Sequence, residues 1–259
     1  MFVEANGAKL VVVPPHTSDF QIDFEALEKA ISAHTKGVII NSPNNPSGAV
    51  YSKETIRKLA ALLTKKSEEN GTPIFILADE PYREIAYDGV EVPYVTKYYA
   101  NTLVCYSYSK SLSLPGERIG YVCIPDTVTD SALLFAAVAG ASRACGHVCA
   151  PSMMQLVIAR AAALRPDLAA YDQNRSLLYN ALTEMGYDCV KPQGAFYMMV
   201  KAPNGDSRAF SELAKRENLL IVPADTFGCP GFCRVSTCVD PDMIRRSLPA
   251  FKKVIEEMR

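Results

Sequence analysis

Three short polar segments of the chain carry side chains that are suited to acid–base chemistry and to binding a small ligand. They are residues 41–48, 79–82 and 107–110, and each follows an apolar run of strand length, at residues 38–40, 74–78 and 102–106. In an open α/β sheet, ligands bind beyond the carboxyl ends of the strands. We therefore expect the segments to form one site that combines amide, carboxylate, phenol, hydroxyl and amine groups.

Each of these side chains also has an ordinary explanation when it is taken alone. Asn45 could shape a proline-rich turn, Asp79 could cap a helix, and Lys110 could be a solvated surface lysine. Their joint placement after three separate buried strands favours the functional interpretation over these local ones.

The elements that would position the segments alternate between strands and helices. Further apolar runs at residues 9–13 and 119–123 predict strands, the first of them buried. Helical spacing of apolar residues predicts helices at 24–31, after Asp23 as N-cap, and around 56–63. Short apolar strands that alternate with helices are typical of a mostly parallel, doubly wound sheet covered on both faces, so we predict an α/β fold.

A smaller α+β domain is predicted at the carboxyl end. The pattern is helical from residue 127 to 185, with expected breaks at Gly140, Pro151 and Pro166. Short strands and two helices follow, at residues 195–200, 207–217, 219–222, 232–236 and 240–258. Placing the boundary inside the helix that begins near Asp167 divides the chain into domains 1–172 and 173–259.

Composition and charge argue against several classes of function. The chain has 27 basic and 28 acidic side chains, which removes the electrostatic case for nucleic acid or an anionic membrane. No apolar run approaches the length of a membrane span, and Glu4 and Lys9 interrupt the first apolar residues, so no signal peptide is predicted. Eight cysteines in 259 residues fit reduced thiols in the cytoplasm.

Metal and nucleotide sites are not predicted. The cysteines at 145–149 and 229–238 lack the paired spacing of a structural zinc site. Neither of the glycine-rich motifs that bind nucleotide phosphates is present.

Four motifs in order, NSPNNPSG, DEPY, SYSK and ERIG, resemble those of the fold-type I pyridoxal-phosphate aminotransferases, the aspartate aminotransferase superfamily. The resemblance covers essentially the whole chain. It implies that Lys110 forms a Schiff base with pyridoxal phosphate and then moves the substrate proton. It also implies that Asp79 pairs with the pyridine nitrogen, and that Tyr82 and Asn45 hydrogen-bond the cofactor's 3′ oxygen.

The resemblance assigns the remaining site residues to phosphate and substrate. Ser107, Ser109 and Arg118 match side chains that bind the cofactor phosphate. Arg234 matches the arginine that binds the substrate α-carboxylate, and Asn45 is assigned to substrate binding as well. Arg143, with Cys145 and His147 nearby, is a weaker candidate for a substrate side-chain carboxylate, since a polar residue at a helix end is usually a cap or a solvated charge.

Three functions remain open at this stage. The first is an aminotransferase that moves an amino group between an L-amino acid, aspartate-like by default, and a 2-oxo acid, working as a homodimer. The second is a lyase with the same cofactor and the same residues. The third is an inactive fragment, because compared with the family pattern the chain is expected to lack the N-terminal third, with part of the phosphate cradle and the residue that stacks on the ring.

Overall fold

The computed structural model describes residues 2–259 and contains two β-sheets. In the first sheet β1, β2 and β3 are parallel neighbours and β4 is antiparallel to β3 at the edge. In the second sheet the central strand β7 pairs antiparallel with β5 and β6. The strands are β1 (Gly37–Asn41), β2 (Phe75–Asp79), β3 (Thr102–Ser107), β4 (Gly120–Cys123), β5 (Tyr197–Lys201), β6 (Val222–Pro223) and β7 (Phe232–Ser236).

Helices connect and cover the strands, and several begin at the capping residues that the sequence offers. Asp23, Ser52 and Asp167 each accept a hydrogen bond from the backbone N–H three residues on, which satisfies a donor that the first turn leaves free. The helices are α1 (Phe2–Ala5), α2 (Phe24–Ala30), α3 (Lys53–Asn70), α4 (Tyr108–Ser111), α5 (Ser131–Ala144), α6 (Ser152–Ala161), α7 (Leu168–Glu184), α8 (Ser207–Arg216) and α9 (Pro241–Met258). No helix of residues 2–259 is both long and apolar enough to cross a bilayer.

Each sheet has its own hydrophobic core. In the first, α2 and α3 pack on the face that carries Ile40 and Ile76, with Leu59 and Leu63 of α3 fully buried. In the second, α7, α8 and α9 surround β5 and β7, where Phe210 and Phe251 are buried. The mixed α/β class with a mostly parallel sheet is thus confirmed. The division at residues 172 and 173 falls inside α7 and stays a prediction.

The predicted buried strand at residues 9–13 is wrong. The segment forms no β-strand, and residues Val11 and Val12 are 55% and 64% exposed. An apolar, β-branched run becomes a strand only when a neighbouring strand accepts its hydrogen bonds, and the prolines that follow, Pro14 and Pro15, lack N–H donors. Among the described residues, β1 pairs only with β2.

The expected burial of the strands on both faces and the break at Gly140 are also wrong. Ile39 of β1 and Val122 of β4 are 55% and 45% exposed, and α5 has no buried residue. Apolar residues on both faces of a strand favour burial of both faces. Burial still requires a helix or strand that packs on each face, and the strand sequence does not determine whether one is present. Helix α5 continues through Gly140, because one glycine weakens a helix without removing a backbone donor. The strand predicted at 219–222 is wrong except at Val222, which opens the two-residue strand β6.

Candidate active site

The three polar segments meet at one edge of the first sheet. Asn41, the last residue of β1, is in register with Asp79, the last residue of β2, and Asp79 is in register with Cys105 of β3. Because the strands are parallel, their carboxyl ends open on the same side. The structure therefore places the segments at 41–48, 79–82 and 107–110 beside one another, as the sequence predicts.

Hydrogen bonds join Asp79 to the loop that follows β1. The Asn41 side chain donates to the Asp79 carbonyl oxygen at 2.9 Å and to its Oδ2 at 3.0 Å. The Asn45 backbone N–H donates to Asn41 Oδ1 at 2.7 Å. Partial burial of the Asp79 carboxyl raises its pKa above the usual value, because fewer water molecules stabilise the ionised form.

Tyr82 belongs to an aromatic cluster that also contains Phe196 and Tyr197. The Tyr82 ring is nearly buried and meets the edges of the other two rings, with centroids 5.3 and 6.0 Å away. Burial, followed by a hydrogen bond with Tyr197, raises the pKa of the Tyr82 phenol far above its usual value, so the phenol stays protonated. Lys110 Nζ lies 5.9 Å from the Tyr82 centroid and 5.5 Å from that of Phe196.

The phosphate residues predicted from the motifs are only partly brought together. The hydroxyls of Ser107 and Ser109 lie 2.6 Å apart at the start of α4, and Ser107 also accepts the Ser109 N–H at 3.1 Å. Arg118 is exposed, and its guanidinium donates to the carbonyl of Pro115 at 2.7 Å. No hydrogen bond joins Arg118 to either serine in residues 2–259.

Arg234 brings the second sheet into the site. It lies on β7, and its guanidinium donates to Asn45 Oδ1 at 2.9 Å across 189 positions of sequence. The guanidinium carbon also stands 4.6 Å from the Tyr197 ring centroid and 5.1 Å from that of Phe227. Arg143, by contrast, is exposed at the end of α5, and no hydrogen bond or ion pair ties it to these residues in the described part of the chain.

Close backbone approach makes this junction of the two sheets possible. A Cβ on Gly194 would lie 2.6 Å from Pro43 Cβ and 2.8 Å from the Ile85 carbonyl oxygen. Gly194 N–H donates to the carbonyl of Gly48 at 2.9 Å, and the Tyr87 hydroxyl donates to the carbonyl of Ala195. Glycine at 194 thus lets the segment before β5 lie against the loop that carries Asn45.

The structure adds four site residues that the motif analysis did not assign. Asn41 opens the first motif, and Phe196 and Tyr197 belong to a strand segment already noted, so their sequence positions offered a signal. Phe227, on the loop before β7, offered none. Among residues 2–259, no group of three or more histidine, cysteine or acidic side chains is arranged to hold a metal ion.

Comparison with known proteins agrees with the fold and with the motifs. The family model for aminotransferase class I and II matches residues 1–251. The crystal structure of an amino transferase from Eubacterium rectale is 65% identical, with a TM-score of 0.96, over 100% of this chain and 65% of that one. Aromatic-amino-acid aminotransferase 2 from Thermococcus litoralis is 28% identical, over 98% of this chain and 66% of its own length. Aspartate/prephenate aminotransferase from Thermus thermophilus is 30% identical, over 97% of this chain and 64% of its own length.

Fold and motifs together define a chain of the fold-type I aminotransferase class. The chain belongs to the aminotransferase class I and II family. It spans 60–66% of the length of the curated relatives that it matches.

Proposed function

We propose that this protein is a pyridoxal-phosphate-dependent aminotransferase that moves an amino group between an L-amino acid and a 2-oxo acid. The observation that carries the proposal is that Lys110, in α4 directly after β3 of the first sheet, and Arg234, on β7 of the second sheet, approach the same aromatic cluster. An amine and a guanidinium placed in this way can act on the α-carbon and on the carboxylate of one amino acid.

The chemistry of the side chains present fits the cofactor. Asp79 offers a carboxylate for a protonated pyridine nitrogen, and Tyr82 offers a phenol that stays protonated and can donate to an oxygen anion. Ser107 and Ser109 offer two adjacent hydroxyls for phosphate oxygens. When bound, pyridoxal phosphate supplies an aldehyde for the amino group and a ring that withdraws electrons from the α-carbon.

The roles of the chain's own residues follow from these positions. Lys110 would hold the cofactor through its aldehyde and, once the substrate amino group has replaced it there, would be a free amine able to take the proton from the substrate α-carbon. Asp79 would keep a proton on the pyridine nitrogen, which would make the ring a better acceptor of electrons. Arg234 binds the substrate α-carboxylate, and its bond to Asn45 limits the directions in which the guanidinium can turn.

The substrate, the assembly and the compartment are part of the same proposal. Aspartate is the default amino acid, supported by relatives that are named aspartate aminotransferases, although another is named for aromatic amino acids. Family members are usually dimeric, and Phe135 and Leu156 offer exposed apolar surface of the kind that a second protomer covers. All eight cysteines are free thiols, which supports the cytoplasm.

The first test is the visible absorption spectrum of the purified protein after loading with pyridoxal phosphate and desalting. We expect the wild type and the control Lys201→Ala, which changes an exposed lysine of β5, to retain an absorption band that Lys110→Ala lacks. A band retained by Lys110→Ala would refute the assignment of Lys110, and a band absent from the wild type would favour an inactive chain.

Product analysis then separates the two types of chemistry. With aspartate and 2-oxoglutarate, an aminotransferase forms glutamate and oxaloacetate in equal amounts. Release of ammonia from a cysteine derivative when no 2-oxo acid has been added as acceptor would instead support the lyase.

A further inference from the structure

We propose that Asn41 is a positioning residue that orients the Asp79 carboxylate toward the ligand and ties it to the loop bearing Asn45. The inference rests on the proposed function, because Asp79 needs a defined orientation only if it faces a cofactor. Asn41 does not itself touch the ligand in this proposal. It acts through Asp79 and Asn45, the two residues that its side-chain amide contacts.

Hydrogen bonds to neighbouring groups define the orientation of the Asn41 amide. The Asn45 backbone N–H is always a donor, and it lies 2.7 Å from one end of the amide, so that end must be the oxygen. The NH₂ group therefore faces Asp79, where it reaches both the carbonyl oxygen and Oδ2. Turning the amide over would place its oxygen against two acceptors and its NH₂ against a donor.

This arrangement leaves the two carboxylate oxygens of Asp79 in different states. Oδ2 accepts from Asn41, whereas Oδ1 has no hydrogen-bond partner within the described residues. One held oxygen restricts rotation of the carboxylate, and the other stays available to a donor on a ligand. A donor at Oδ2 also favours the ionised form and so opposes the burial that raises the pKa of Asp79.

Asn44 provides a matched control within the same loop. Its side chain donates to the Asn41 carbonyl at 3.2 Å, approaches Asn41 Oδ1 at 3.5 Å and accepts from the Ser47 N–H at 3.0 Å, but it makes no hydrogen bond with Asp79. Asn44 therefore shapes the loop and contacts only the oxygen end of the Asn41 amide, not the NH₂ end that holds the carboxylate. Asn44→Ala shows what loop disturbance alone produces.

The first measurement needs no cofactor. The titration of the Asp79 carboxyl is followed by ¹³C NMR in the unloaded protein, with Asp79→Asn to assign the signal. Asn41→Ala removes the donor, and Asn41→Asp keeps an acceptor for Asn45 N–H but sets a second carboxylate beside Asp79. We expect both variants to raise the pKa of Asp79, Asn41→Asp more strongly, and Asn44→Ala to leave it unchanged. The ionisable groups that interact with Asp79 (Glu80, Tyr82 and Cys105) are the same in every variant.

The second measurement is equilibrium binding of pyridoxal phosphate. Loss of a charge-assisted hydrogen bond that orients a ligand contact corresponds to about a tenfold weaker affinity for both Asn41 variants. The positioning role would be overturned if the pKa of Asp79 in Asn41→Ala equalled that in the wild type. It would also be overturned if Asn44→Ala lost as much affinity for pyridoxal phosphate as the Asn41 variants. If the titrations shift as expected while the wild type binds no cofactor, the contact between Asn41 and Asp79 is upheld and the proposed function fails. If the wild type transaminates and the Asn41 variants match it, the inference alone fails.

Discussion

Arg175 of α7 provides the sharpest test of how the helices around the second sheet are held against the loops of the first sheet. Its side chain is 2% exposed and makes a bidentate ion pair with Asp88, with both N–O distances at 3.0 Å. It also donates to Asp172 at 2.8 Å and to the buried carbonyl of Pro192 at 2.6 Å, and it covers the Tyr87 ring at 4.3 Å. A single side chain thus connects α7 to the segment after β2, which carries Asp88, and to the segment before β5, which carries Pro192.

The cost of Arg175→Met can be worked out from these contacts. Asp88 and Asp172 are 52% and 44% exposed, so water can replace the guanidinium at both, and each pair contributes about 0.2–1 kcal/mol. The Pro192 carbonyl is buried and would lose a partner, which costs about 1–3 kcal/mol. Loss of the contact with the Tyr87 ring adds about 0.5–2 kcal/mol. We therefore expect the free energy of unfolding to fall by about 4 kcal/mol, within a range of about 2–7 kcal/mol.

Urea unfolding followed by circular dichroism measures this effect. Asp88→Asn is expected to cost no more than about 1 kcal/mol, because its carboxylate is half exposed. Arg245→Met, which breaks an exposed pair with Asp242 on α9, is the matched control and should stay within about 0.5 kcal/mol of the wild type. If Arg175→Met cost no more than Arg245→Met, or if Asp88→Asn cost as much as Arg175→Met, the reasoning from burial would be refuted.

Two further predictions concern the backbone junction and the titration of the site. Gly194→Ala should lower the free energy of unfolding by about 2 kcal/mol, since its Cβ would collide with Pro43 and the Ile85 carbonyl, whereas Gly140→Ala in the open helix α5 should raise it by about 0.5 kcal/mol. Similar urea midpoints for these two variants would contradict this. Because the pKa of Asp79 is raised on folding, its ionised form costs stability as the pH rises through that pKa, and Asp79→Asn should be more stable than the wild type at neutral pH. Unfolding measured from neutral pH to about pH 3 should show this difference disappearing as the carboxyl is protonated in both states, and a difference that grows toward acid would contradict the assignment.

The part of the site that could be predicted from sequence depends on neighbouring parallel strands. Asn45, Asp79 and Lys110 follow three apolar runs, and a parallel sheet brings the ends of such runs to one edge. That Arg234 and Asn45 serve one site was expected only from the family resemblance, because the two residues lie 189 positions apart, and no contact between them was predicted. The position of Arg118 beside the serines was expected in the same way, and in the structure its guanidinium is bound to a local carbonyl instead.

The sequence by itself determined the local elements and the chemical groups available. Caps such as Asp23 and Ser52 set where helices begin, because a side-chain acceptor next to a free backbone donor is a local interaction. The tertiary structure alone decided that residues 9–13 form no strand and that Asn41 turns its NH₂ group toward Asp79. Both depend on which distant groups come within hydrogen-bonding distance, and that is set by the packing of the two sheets rather than by any short stretch of chain.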